Sequence, residues 1–180
     1  VKLNKVNPKD IDPMDKAIVA IYTMIQPRRS GSVSLLTLSD RRTRLSKQYN
    51  YVLMKNKTPV KLVYLKYKTD KVYGKVIVKI PRDLRKVLKE YINVMGLKAG
   101  NPLFMDSKGN YHGNFSKRVT QAFGKYVKDK RITVNLLRHS FISDYLKKNT
   151  SVADKKRVAR LCGNSLGVMM LYDKKSNTKK

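Results

Sequence analysis

Apolar side chains recur at helical spacing soon after the start of the chain. Asp12 and Asp15 flank Pro13 as an N-cap, an acid in the first turn and a proline at the first helical position, and Ala17, Ile18, Ile21, Tyr22 and Ile25 follow on one face. This first helix is expected to end near Gln26 and Pro27. Beyond a turn carrying Pro27, Arg28 and Arg29, the positions Val33, Leu35, Leu36 and Leu38 predict a short second helix. The period then changes. The segments YNYVLM, VKLVYLKY and VYGKVIVKI are rich in β-branched and aromatic residues, with Thr69 and Asp70 at a turn between the last two, and predict a small antiparallel sheet.

Helical spacing returns after Pro81, where Leu84, Val87, Leu88, Tyr91, Ile92 and Met95 form one apolar stripe that Gly96 stops. Turn formers fill Lys98 to Gly113. Asn114 caps a helix with Phe115, Val119, Ala122, Phe123 and Tyr126, and Thr133 caps VNLLRHSFISDYLKK. Ser151 and Asp154 form a capping box for ADKKRVARL, which Gly163 ends. A last helical segment from about Leu166 contains Tyr172. The fold class read from this pattern is mixed α/β (α+β), mostly helical with a small antiparallel β-sheet. It forms one domain over 1–180 with a polar tail at 173–180. A longer parent protein is expected, because the chain opens on Val1.

Charge narrows the class of partner. Lys and Arg number 41 against 12 Asp and Glu, for a net charge of +29. An AT-rich genome inflates lysine, but it does not by itself remove glutamate, and Glu90 is the one glutamate present. Depletion of acids beside enrichment of bases points to a polyanion. Nucleic acid is preferred over a membrane surface, since no apolar run approaches the ~20 residues needed to span a bilayer. The single cysteine, Cys162, excludes an internal disulfide and fits a reducing, intracellular setting at DNA. Its place between Leu161 and Gly163 reads as packing at a helix end.

The chemistry is bounded first by missing groups. A two-metal nuclease needs convergent carboxylates, and the acids here are scattered at caps and turns. One Cys and two His offer no zinc site, and no glycine-rich phosphate loop is followed by Lys-Ser or Lys-Thr. Cleavage of a phosphodiester would therefore proceed without metal or other cofactor. It would need a nucleophile, fixed positive charge on the nonbridging oxygens and an acid for the leaving oxygen. Arginine suits the second task, because its planar fork grips phosphate with two hydrogen bonds. Arg29 stands at a helix–turn junction. Arg138 lies among Leu136, Leu137 and Phe141, where its guanidinium is expected at a core edge in need of an anion.

Taken in order, Pro27-Arg28-Arg29, Tyr67-Lys68-Thr69, Leu137-Arg138-His139-Ser140 and Gly163-Asn164-Ser165 followed by Tyr172 resemble the catalytic domain of tyrosine recombinases. This is the phage-integrase superfamily, related to type IB topoisomerases. The resemblance runs from about Ile18 to Tyr172, and its wording is closer to integrases of large DNA viruses of eukaryotes and their mobile elements than to bacterial ones. It implies that Arg29 and Arg138 bind the scissile phosphate, with Arg28 the fallback for Arg29. It further implies that Lys68 protonates the departing 5′ oxygen and that Tyr172 forms a 3′-phosphotyrosine link. A viral member would act in the host nucleus or viral factory, a bacterial one in the nucleoid.

Two positions depart from the family pattern: Asn135 stands where it has histidine, and Asn164 where it has histidine or tryptophan. Asparagine is no base, though it can hydrogen-bond a phosphate oxygen. A slower enzyme is expected, with His139 a lesser candidate for the missing base. Arg28, Arg41, Arg42, Arg44, Lys155, Lys156, Arg157 and Arg160 are expected on double-stranded DNA through backbone phosphates, with affinity that falls steeply with salt. The family's N-terminal clamp domain is expected to be missing before the first helix, leaving a monomer in isolation and, by the resemblance, a homotetramer on DNA. The rival readings are a type IB topoisomerase or telomere-resolving enzyme, and a degenerate DNA-binding module.

Overall fold

The structure is a computed structural model, which describes residues 11–40, 44–127, 129–148 and 151–177, with side chains through residue 171. Its first helix, α1 (Pro13–Thr23), begins as the sequence predicts: the Asp12 carboxylate accepts from the Met14 and Asp15 amides at 2.8 and 3.1 Å, and Pro13 sits in the first turn. One turn of helix, α2 (Ser30–Ser34), follows, and then a strand, β1 (Leu36–Ser39). The expected second helix is thus cut short at Ser34. All four residues of β1 are buried, the polar Thr37 and Ser39 among them, and behind Val33 and Leu35 so short a segment fits helical spacing as well as alternation, so periodicity alone does not separate strand from helix.

Three further strands, β2 (Asn50–Lys55), β3 (Thr58–Tyr64) and β4 (Val76–Lys79), complete a sheet in the order β1-β2-β3-β4. The last three are antiparallel as expected, but β1 runs parallel to β2, with Leu36 opposite Asn50. The sheet is therefore mixed. Residues 100–103 close the outer edge of β1 through Leu38 N to Asn101 O (2.9 Å), Gly100 N to Leu38 O (2.8 Å) and Leu103 N to Leu36 O (2.7 Å). Pairing satisfies backbone groups that an open edge would leave exposed. Between β3 and β4 the chain makes a helical turn, α3 (Asp70–Tyr73), so the strand expected over 72–80 is confined to 76–79.

The remaining helices are α4 (Arg82–Val94), α5 (Phe115–Gly124), α6 (Val134–Leu146), α7 (Val152–Cys162) and α8 (Leu166–Asn177). Asn114, Thr133 and Ser151 cap α5, α6 and α7 by accepting from Lys117 N, Leu136 N and Asp154 N. α1, α4 and α5 share the main core with Val52, Leu62, Tyr64 and Val76 of the sheet. A second cluster of Ile142, Leu146, Val158, Ala159, Cys162 and Met169 belongs to α6, α7 and α8. Arg138 and Asn164 stand where these two cores meet, between Val134 and Leu137 of the first and Ile142 and Cys162 of the second.

One charged group anchors the main core. Asp15 is fully buried and pairs with Arg118 and with Lys125, the latter at 2.6 Å. Removing one partner of a buried pair costs about 3–5 kcal/mol. Here Arg118 and Lys125 keep 17% and 49% of their side-chain exposure, which lowers the figure because water screens them. Asp15→Asn is expected to destabilise by about 2 kcal/mol, read as a lower urea midpoint at unchanged m value.

Candidate active site

Asn164 joins the two arginines named from the sequence. Arg29 is the N-cap residue of α2, in extended conformation, and its guanidinium donates to Asn164 Oδ1 at 3.2 Å. Arg138, on the second turn of α6 and 1% exposed, donates to the same oxygen at 2.6 Å. Gly163 makes this possible. It ends α7 in the left-handed region, at φ 69°, which turns the chain so that the Asn164 amide donates to Ala159 O at 2.8 Å while its side chain faces the arginines. Asn164 is itself 1% exposed, and among the described residues its Nδ2 is buried with no hydrogen-bond partner, as is Arg29 Nε. Arg138 and Arg29 thus share one neutral amide oxygen. An oxyanion would satisfy that pair better, because a charged acceptor roughly doubles the strength of such hydrogen bonds.

Arg29 also opens onto a cleft of about 1070 Å³ between the β3–α3 turn and the starts of α5 and α6. Lys66, Lys68 and Lys71 line one wall, Lys117 and Arg131 the other, and Asp70 is the one acid among the described residues of the lining. Asp70 accepts from its own turn at Tyr67 N (3.2 Å), so the cations dominate the field of the cleft. Lys68 is exposed and Asn135, in the first turn of α6, is exposed on the same cleft.

Asn50, a residue the sequence reading passed over, sets the position of the lysine turn. It is fully buried and makes all four side-chain hydrogen bonds an amide has. Nδ2 donates to Ser32 O (2.7 Å) and Lys66 O (2.9 Å), and Oδ1 accepts from Leu65 N and Lys66 N, both at 2.8 Å. It thereby ties α2, next to Arg29, to the segment that carries Lys68. The signal was an asparagine inside the strand run YNYVLM, where its low β-propensity is out of place.

The other expected residues are spread more widely. Arg28 departs from the expected phosphate contact: it is 2% exposed, buried between aromatic rings, and presents no open surface. Arg160 is exposed, but its guanidinium donates to Tyr73 O and Lys75 O at 3.0 and 3.1 Å, next to β4. Arg157 pairs with Asp154 on the surface of α7, Lys155 is half-buried, and Lys156 and Arg44 are exposed. His139 is also exposed. Arg41 and Arg42 lie outside the described residues, as does the side chain of Tyr172, whose backbone belongs to α8. Among the described residues no three His, Cys, Asp or Glu side chains gather as metal ligands, and no helix is long and apolar enough to cross a membrane.

Cys162, at the end of α7, is fully buried in the second core. Burial pushes its thiol up to about 12, with Arg138 and Arg28 pulling weakly the other way. The nucleophilic thiolate is therefore scarce at ordinary pH. Iodoacetamide at pH 8 is expected to leave the native protein unmodified and to label Cys162 once urea unfolds it, as mass spectrometry would show.

No family model matches the chain, and no curated protein matches it in sequence. Its fold does match a solved one. The crystal structure of XerA recombinase superposes with a TM-score of 0.59 at 16% identity over 89% of this chain, and the chain spans about half (52%) of the length of that protein. The shared feature is the fold: a mostly helical α+β domain with a small sheet.

Proposed function

We propose that this chain is the catalytic domain of a site-specific DNA recombinase or integrase, one that cuts and rejoins double-stranded DNA through a 3′-phosphotyrosine intermediate without metal. The observation that supports it most is the pair Arg29 and Arg138 held on one neutral acceptor beside a cleft of cations. A phosphodiester entering there would replace the Asn164 oxygen as the shared acceptor, and both guanidinia would bear on its nonbridging oxygens as charge develops. The Tyr172 oxygen would bond to phosphorus as the bond to the 5′ oxygen breaks. Lys68 would give that oxygen its proton. The link conserves the energy of the broken bond, and attack by a 5′ hydroxyl reverses the sequence.

The fold likeness to XerA recombinase supports recombination over unrelated DNA chemistry. The viral type of integrase, a tetramer on two duplexes and a place at intracellular DNA belong to the same proposal and rest on the sequence resemblance. A nicked suicide duplex tests it, because the short strand diffuses away after cleavage and traps the intermediate. Protein covalently linked to the 3′ phosphate, formed in EDTA, is the expected product. Binding to the duplex with no adduct at any pH from 7 to 10 would leave a DNA-binding module in place of the enzyme.

A further inference from the structure

Among the described residues, Arg28 is a buried arginine that the phosphate chemistry does not use. Arg28 stands between the rings of Tyr64 and Tyr67, with its guanidinium carbon 4.1 and 4.7 Å from their centroids. It donates to Leu161 O at 2.6 Å and to Arg160 O at 3.4 Å, and among the described residues its Nε and second terminal nitrogen are buried without hydrogen-bond partners. No ion pair reaches it among the described residues. A buried cation without a counter-ion is costly, and leucine or methionine would fill the same space at less cost. The contacts it makes give the compensation.

Leu161 O and Arg160 O are among the last carbonyls of α7, the negative end of that helix, where a cation is favoured. Tyr64 ends β3, and Tyr67 precedes Lys68 and bonds Gly74 O at 2.7 Å. Two further contacts cross the same joint: Thr69 to Gly163 O at 3.5 Å, and Arg160 to the carbonyls of Tyr73 and Lys75. A Cβ on Gly163 would lie 3.2 Å from the Arg28 guanidinium, so glycine is required there twice, by the left-handed turn and by this close approach. We infer that Arg28 is a positioning residue that locks the end of α7, and with it Asn164, to the turn that carries Lys68, while its chain neighbour Arg29 completes the site.

This role deepens the proposed recombinase reading and rests on it, but the joint is measurable without cleavage. The test compares Arg28→Met, Arg28→Lys and Gly163→Ala with the parent by amide exchange, duplex affinity and single-turnover cleavage at saturating duplex. The marker amides are those of Gly163 and Asn164 at the α7 end and of Asp70, Val72, Tyr73 and Gly74 in the turn, all hydrogen-bonded. Arg28→Met and Gly163→Ala are expected to speed exchange at both groups at least tenfold, with α1 and α4 unchanged. Cleavage is expected to fall on the order of a hundredfold, with duplex affinity within threefold. Arg28→Lys, which keeps the charge and one donor, recovers part of both losses, and it carries the comparison if Arg28→Met does not fold. Faster exchange at only one group, an equal rise in α1 and α4, or no rise overturns the proposal. Absence of adduct in the parent defeats the recombinase reading, while the exchange pattern still decides the joint.

Discussion

Tyr172→Phe is expected to abolish the covalent adduct on a suicide duplex, while Tyr145→Phe retains it. The second variant is the control, because Tyr145 sits on α6, stacks on Phe141 with ring centroids 6.4 Å apart, and keeps that ring when the hydroxyl is removed. Equal melting temperatures for the two variants would assign the loss to chemistry. A free tyrosine, with pKa about 10, is ionised to about one part in a thousand at pH 7, which leaves about 4 kcal/mol for the site to supply. Asn135 and Asn164 offer no base, so fixed charge from Arg29, Arg138 and Lys68 is left to favour the phenolate. The cleavage rate of the parent is accordingly expected to rise with pH above 7, about tenfold per unit. A flat profile would instead indicate a base, with His139 the nearest one in sequence to Arg138. An adduct in Tyr172→Phe would place the nucleophile elsewhere.

Asn164→Asp is expected to stabilise the protein and disable it together. The substitution puts a carboxylate where an amide oxygen now takes hydrogen bonds from Arg29 and Arg138 at 3.2 and 2.6 Å. Arg138 is already withdrawn from water and Arg29 is half-buried, so the new anion gains attraction with limited added desolvation of its partners. A gain of about 1 kcal/mol corresponds to a melting temperature higher by about 2–4 °C for a chain of this size. The same carboxylate competes with phosphate for both arginines, and cleavage is expected to fall by a factor on the order of 10²–10³, the scale of losing one donor to the transition state. Neighbouring cations depress the folded-state pKa of this aspartate below its unfolded value near 3.9. The added stability is therefore present above pH 4 and is lost as pH falls through the folded value. Unchanged cleavage in Asn164→Asp would remove the arginine pair from the chemistry.

Local rules carried much of the fold. Asp12, Asn114, Thr133 and Ser151 cap helices in the structure because a short polar side chain before an apolar face meets a need of the backbone itself. β1 was not legible, since its four residues behind Val33 and Leu35 fit helical spacing as well as alternation, and its parallel pairing with β2 is not a local property of the segment. The ordered set of arginines, lysine and tyrosine was legible as a family resemblance. What each arginine touches was not. Arg28 and Arg29 are neighbours in sequence, yet Arg28 enters the core among Tyr64, Tyr67 and Leu161 while Arg29 turns to Asn164 and the cleft. That division follows from tertiary packing across more than a hundred residues. The four bonds of Asn50 reach only 15 to 18 residues, but they too depend on how α2 and the end of β3 pack together, with only the presence of an asparagine in a strand as a hint.

The bond between Arg29 and Asn164 spans 135 residues, nearly the whole described chain. Contacts of such separation carry a large loop-closure entropy, and they form once shorter-range structure has shortened the effective loop. During synthesis the sheet and the first helices can assemble long before Asn164 leaves the ribosome. A nascent chain that stops short of α7, however basic, therefore holds Arg29 without its Asn164 partner, and the joined arginine pair forms only once the end of α7 has been made and has folded back.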